Sequence, residues 1–179
     1  RQAVVKSLDW DLLCQVINGD YGQTPGSGII APPCLGFDDS LWTFYRDTSE
    51  AQSILESAGY IDVDGDGYRE DPDGNPLEIK VTPQNSSKKQ ELLNRIADVI
   101  MSSLDEIGIK TYIDEVSLQS SEVWEATVID GDYDLFIGYT TSGMAKYSSA
   151  FRYFVADTRD GSDNGTWIWG TYHDQTYTD

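Results

Sequence analysis

The sequence predicts an α/β fold, and three observations carry that prediction. Between residues 77 and 139, segments with the two-residue period of a strand take turns with segments of helical spacing. Glycines stand where the helical segments stop, at Gly19, Gly59 and Gly108. The resulting order, β-α-β-α-β, is that of parallel strands joined by right-handed crossovers. At 179 residues the chain reads as a single α/β unit, 1–179, long enough to bury a real core.

The elements follow in order. Ala3, Val4, Leu8, Leu12, Leu13, Val16 and Ile17 share helical spacing, with a break expected between Ser7 and Asp9, where Asp9 can cap a second helix. Residues 19–40 are rich in Gly and Pro and read as a long surface connection. A helix is predicted over 48–58, with Ala51, Ile54, Leu55 and Ala58 on one face. "PLEIKVTP" alternates Leu77, Ile79 and Val81 against Glu78 and Lys80, which predicts a strand. Residues 88–107 form a strongly amphipathic helix through Leu92, Leu93, Ile96, Val99, Ile100, Leu104 and Ile107. "IKTYIDEV" reads as a strand, "QSSEVWEATVID" as a helix with Trp124 in the core, and "YDLFIGY" as a third strand. The core is therefore expected over 77–139, in a mixed sheet with long surface loops. A short helix, "SSAFRYFVAD", is predicted in the tail.

Between the 48–58 helix and the first strand lies an acidic Asp/Gly loop, 60–75. Its stretch "DVDGDGYREDPDG" packs six acidic residues and three glycines into thirteen positions. Counted from Asp62, oxygen donors fall at positions 1, 3 and 5 (Asp62, Asp64, Asp66), a glycine at 6, Tyr68 with its carbonyl at 7, Glu70 at 9 and Asp73 at 12. That is the spacing of a calcium loop of the EF-hand type, except that the shorter Asp73 stands where such loops carry a bidentate Glu. Ca2+ is the candidate cofactor; a tight turn with solvated carboxylates is the alternative.

Charge excludes several classes. Twelve basic residues against 31 acidic ones give a net charge of −19, too few cations to displace phosphate counterions, so no nucleic-acid partner is expected. No apolar run approaches the ~18–20 residues of a membrane-spanning helix. Cys14 and Cys34 form no metal motif; Cys14 lies on an apolar stripe and reads as a buried thiol, with a disulfide as the alternative. His173 has no nucleophile beside it in sequence, and no HExxH, P-loop or GxGxxG occurs, so no enzyme is expected. The sequons at Asn85 and Asn164 are short enough to arise by chance. "RQAVVKSLDW" starts in mid-helix, which reads as a mature fragment or an excised piece.

Several phrases together carry a resemblance. "RQAVVKSLDWDLLCQVINGDYGQTPGSGIIAPP", "EAQSILESAGYIDVDGDGYREDPDGNPLEIKV", "LNRIADVIMSSLDEIGIKTYI", "DYDLFIGY" and "GTWIWGTYHD" resemble, in family order, segments of family 5 extracellular solute-binding proteins. These are the peptide, nickel and oligosaccharide receptors of ABC importers. The resemblance implies one lobe of a two-lobe, type II periplasmic-binding-protein-like fold that closes on a ligand. It also implies a monomeric receptor, extracellular or periplasmic, membrane-anchored as a lipoprotein, that delivers a small solute or peptide to an ABC permease. An oligopeptide is the expected solute. A calcium-dependent adhesion module and a carbohydrate-active enzyme fragment are the competing readings.

Candidate ligand residues follow from position and chemistry. Ligands of open α/β sheets gather beyond the carboxyl ends of the strands, where "GYTTSGM" supplies Tyr139, Thr140, Thr141 and Ser142. Peptide-binding members of the family carry Gly-Trp-x-x-Asp here, the Asp pairing with the peptide's α-amine. Gly138 and Tyr139 match Gly-Trp, while Ser142 replaces the Asp and supplies no charge. Trp42, Trp167 and Trp169 lie in irregular segments, where rings suit stacking on a sugar or peptide.

Overall fold

Two short helices open the chain because the backbone turns extended at Leu8. The first, α1, spans Gln2–Ser7; Asp9 then caps α2, Trp10–Asn18, its carboxylate accepting from the Leu12 amide at 2.9 Å. Gly19, at φ 59°, ends α2. These residues belong to a computed structural model that describes residues 1–19 and 45–138. The break and cap fall where the sequence places them. Asp47 caps α3, Thr48–Ser57, by accepting from Glu50 at 2.8 Å. The small buried residues Ala3 and Ala51 let α1 and α3 approach closely. Arg46 pins the pair to the rest of the lobe: it donates to the Ser7 carbonyl and makes ion pairs with Asp9 and Glu106.

The remaining elements are β1 (Glu78–Pro83), α4 (Gln90–Asp105), β2 (Lys110–Ile113), α5 (Ser121–Asp130) and β3 (Leu135–Ile137). The three strands form a parallel sheet of order β2-β1-β3. The chain crosses from β1 to β2 on one side and then back past β1 to β3 on the other. Two crossovers of the same right hand but opposite direction put α4 and α5 on opposite faces of the sheet.

The main core lies on the α4 face. Leu93, Ala97, Ile100 and Leu104 recur at helical spacing and pack with Val81, Ile137, Leu8, Leu13 and Leu55. Trp124 and Val128 of α5 are buried outside that cluster. Trp124 meets Phe136 edge-on at a centroid distance of 6.4 Å, and its indole N–H points at the Thr82 carbonyl, 3.4 Å away. The two layers explain a departure from the sequence pattern. Alternation in β1 predicts one buried set, yet Val81, Thr82 and Pro83 are all buried, because the central strand is covered on both faces.

Cys14 is half-buried on α2 rather than sealed in the core, while Leu13 beside it carries the apolar contact. Cys34 and the 148–157 segment lie outside the described residues. No helix among the described residues is long and apolar enough to cross a membrane.

The turn from α4 into β2 depends on Gly108. Its φ is +77°, and a Cβ there would stand 3.2 Å from both Arg69 Cγ and the Gly67 carbonyl. Gly108→Ala is expected to destabilise the lobe by about 1–3 kcal/mol, the range for a non-glycine residue held in left-handed conformation. Urea unfolding checks this, with a lower midpoint and an unchanged slope as the expected result.

Candidate functional site

The parallel order gives the sheet two unlike ends, and each holds one of the candidate sites. At the carboxyl end, Pro83, Ile113 and Ile137 close the three strands together. The Gln84 amide donates to the Ile137 carbonyl at 2.7 Å, so β1 and β3 stay paired to their last residues. A Cβ on Gly138 would touch the Trp124 ring at 3.4 Å and lie 3.8 Å from the Gln84 side-chain oxygen. The sequence continues from Gly138 directly into Tyr139, Thr140, Thr141 and Ser142. Those four, together with Trp42, Trp167 and Trp169, lie outside the described residues.

The loops leaving β1 and β2 are tied to each other at this edge. Thr82 and Asp114 are neighbours across the two strands, one step past the Val81–Ile113 pair. The Thr82 hydroxyl donates to the Asp114 carboxylate at 3.3 Å, and that carboxylate also accepts from the amides of Val116 (3.1 Å) and Ser117 (3.3 Å). Asp114 is 8% exposed, and these three donors offset the cost of burying its charge. Farther out, the Asn85 amide donates to the Leu118 carbonyl at 2.6 Å.

The acidic loop stands at the opposite, amino end. It leads into β1, and the Arg69 amide donates to the Gly108 carbonyl just before β2, at 2.8 Å. Antiparallel bridges from Glu70 to Ile61 and to Pro76 close its base. The carboxylates of Asp62, Asp64 and Asp66 converge, each offering an oxygen within 4.8 Å of the others. Each also accepts from a nearby amide: Gly65 and Gly67 on Asp62, Asp66 on Asp64, Tyr68 on Asp66. Glu70 and Asp73 are not part of that trio. Glu70 takes the Val63 amide at 2.7 Å, and Asp73 belongs to the next turn, built around Asp71. Three carboxylates fit part of a calcium shell, which needs 6–8 oxygens, so water or carbonyls would have to supply the remainder. Six residues of β1 separate the two ends, roughly 20 Å at ~3.3 Å per residue. The acidic loop is thus remote from the carboxyl ends of the strands.

An open groove of about 530 Å3 runs beside the acidic loop, lined by Glu56, Asp62, Arg69, Asp105 and Glu106 among others. The perturbed groups at this end and along the strands are each shifted chiefly by one nearby partner. Tyr68 donates to Asp105 at 2.9 Å, and this hydrogen bond holds its phenol above the usual range. Lys110 is raised by its bond to Glu78, and Lys80 by its bond to Asp132.

Comparison with known proteins places the chain in a family. The profile of the bacterial extracellular solute-binding proteins, family 5 (Middle), matches residues 1–162, and the chain belongs to this family. The fold is that of one part of a two-lobe receptor. The oligopeptide-binding protein AppA from Bacillus subtilis, solved with a nonapeptide, superposes with a TM-score of 0.76 at 18% identity, covering 99% of this chain and 33% of AppA. A periplasmic oligopeptide-binding protein from Thermotoga maritima gives 0.79 at 19% identity, covering 98% and 33%. NikZ from Campylobacter jejuni, solved with Ni(L-His), gives 0.73 at 21% identity, again covering 98% and 33%. The chain thus spans about a third of the length of these proteins. Among the curated proteins nothing matches. The family is one of solute-binding proteins.

Sequence reasoning missed Asp114, Thr82 and Asn85 as features of the carboxyl edge. Their bonds join loops 32 or 33 residues apart, and no spacing rule marks such a pair. The one available signal was an Asp placed directly after an apolar strand.

Asp71 supplies a pH test. Its carboxylate takes both Asn75 side-chain contacts and the amides of Asn75 and Asp73, and the Asn75 side chain is the main cause holding its pKa below the ordinary 3.8. A depressed folded pKa stabilises the turn above the unfolded value and loses that effect as pH falls through the folded one. Carboxyl-detected NMR should show Asp71 titrating below 3.8, with the Asn75 amide signal moving in step. In Asn75→Ala the titration should return towards the ordinary value.

Proposed function

We propose that this lobe forms one wall of a solute-binding cleft in a receptor for ABC import. The solute is an oligopeptide, bound extracellularly or in the periplasm by a monomeric, lipid-anchored protein that passes it to a permease. The observation that carries the reading is the all-parallel order β2-β1-β3, which ends every strand at one edge. The chain leaves that edge through Gly138 into the aromatic and hydroxyl residues Tyr139–Ser142. Ligands of open α/β sheets gather at such edges, and family membership supports a ligand there. Two of the relatives are named for oligopeptides, which favours that class over a nickel chelate.

In this reading no bond is made or broken. The ligand is captured by closure of a second lobe over the strand ends, with backbone and hydroxyl groups orienting it and aromatic rings walling it. Ser142 provides no counter-charge for a peptide's amine, so recognition rests on other groups along the chain of the ligand.

Calorimetry on the full-length protein with a nonapeptide, mannohexaose and Ni(L-His) tests the reading; binding of the nonapeptide alone is the expected result. Binding of only the sugar or the chelate would replace the oligopeptide. Tyr139→Ala should cost roughly 2 kcal/mol of nonapeptide affinity, about thirtyfold, the scale of a buried aromatic anchor. Ser142→Asp should shift preference towards ligands with a free amine. Wild-type binding by both variants would move the site to the Trp42, Trp167 and Trp169 loops.

For the acidic loop we propose weak calcium binding by Asp62, Asp64 and Asp66, with a structural role, because the loop sits at the far end of the sheet from the cleft. The convergence of the three carboxylates supports it. Calcium at ~10 mM should raise the melting temperature relative to excess chelator, given dissociation constants around 0.1–1 mM for extracellular sites. An unchanged melting curve would leave the loop as a turn of solvated carboxylates.

A further inference from the structure

We infer that Asn85 and Asp114 are positioning residues that lace the loops leaving β1 and β2 into one rigid rim at the carboxyl edge of the sheet. That this rim faces a ligand rests on the proposed function; the lacing rests on the geometry alone. The β1 exit loop begins at Gln84 and runs to the start of α4 at Gln90. The β2 exit loop runs from Asp114 to the α5 cap at Ser120. Loops of this kind, without regular backbone pairing, open easily unless side chains satisfy their polar groups.

One bond joins the loops directly, from the Asn85 side chain to the Leu118 carbonyl at the tip, and a second ties the base of the β2 loop to β1, from the Thr82 hydroxyl to Asp114. Asp114 also folds its own loop. Its carboxylate holds the amides of Val116 and Ser117, while its backbone carbonyl accepts the Ser117 hydroxyl at 2.8 Å. Ser117 is fully buried, so this bond has no water to replace it. On the other side, the Ser86 hydroxyl and the Gln90 side chain tie the β1 loop to the first turn of α4 through the amides of Lys89 and Ser86. Asn85 is thus set between a loop anchored on α4 and a loop anchored on Asp114. Shifting either anchor moves the other loop.

The consequence is that neither residue needs to touch the solute to matter for its capture. A rim that is rigid before binding loses less conformational freedom when the ligand is enclosed. Asn85 also stands in the sequon "NSS"; its amide is already engaged with Leu118, so the structural role accounts for the residue.

The test is hydrogen exchange on the full-length protein carrying Asn85→Ala, Asp114→Ala or Asp114→Asn. Asn85→Ala should speed exchange at Val116, Ser117 and Gln119 about fivefold, the effect of losing one ordinary hydrogen bond. Asp114→Ala should speed exchange at Ser86 and Lys89 on the opposite loop, whereas Asp114→Asn, which keeps an acceptor oxygen, should restore most of the protection. Amides in the middle of α4 should not change in any variant. Effects confined to each variant's own loop would overturn the lacing, whatever the protein binds. Where the wild type binds the nonapeptide, affinity measured well below the melting temperature should fall in both alanine variants and recover in Asp114→Asn. Unchanged affinity would reduce both residues to a purely structural role, and failure of the wild type to bind would count against the proposed solute and not against the lacing.

Discussion

The amino end of this lobe is organised around a single guanidinium. Arg69 donates through Nε to the Ile107 carbonyl at 2.8 Å and through Nη1 to the Tyr60 carbonyl at 2.9 Å, and Nη2 pairs with Glu56 at 3.3 Å. Its own backbone bonds Gly108 on one side and Leu77 on the other. One residue therefore joins the end of α3, the base of the acidic loop, the α4–β2 turn and the approach to β1. The side chain is 11% exposed, so its charge depends on these acceptors for solvation. The planar fork of arginine suits the task, because several donors can serve carbonyls in different directions while the group stays charged.

That clamp sets where the strands begin, and the parallel topology then sets where they end. Because the three strands run parallel, their carboxyl ends all fall on the edge opposite Arg69. The lobe is thereby divided by physical task. Its amino edge is acidic, held by backbone bonds and Asx turns in the 62–75 loop. Its carboxyl edge is polar but less charged, with buried donors and acceptors matched between loops. The first arrangement tolerates solvent; the second fixes ordered groups at the strand ends.

The surplus of 31 acidic over 12 basic residues fits this division. Several of the cations are committed to nearby carboxylates, as in Lys6–Glu50, Arg46–Asp9, Lys80–Asp132 and Lys110–Glu78. Each of these pairs has at least one solvent-exposed partner, and each contributes little stability. Their clearer effect is to orient neighbouring elements, as Arg46 does between α2 and the end of α4. Stability comes instead from the two apolar layers that sandwich β1.

Much of this was legible in the residues themselves. The Asp9 cap, the stops at Gly19, Gly59 and Gly108, and the 3.6-residue stripe of α4 are local signals, since each acts within one turn of the chain. The β-α-β-α-β order followed from them, and the family from phrases that kept their order. What the sequence alone left open were features made by residues distant along the chain. The burial of Thr82 came from α5 covering the second face of β1. The three acceptors of Arg69 came from elements up to 38 residues away. The loop spacing predicted six ligands, yet the fold gathers Asp62, Asp64 and Asp66, while Glu70 accepts the Val63 amide and Asp73 donates its own amide to Asp71 in the next turn. Periodicity and capping are properties of a segment, so the sequence by itself determines them; which polar group meets which partner across the sheet is decided only when the strands are paired.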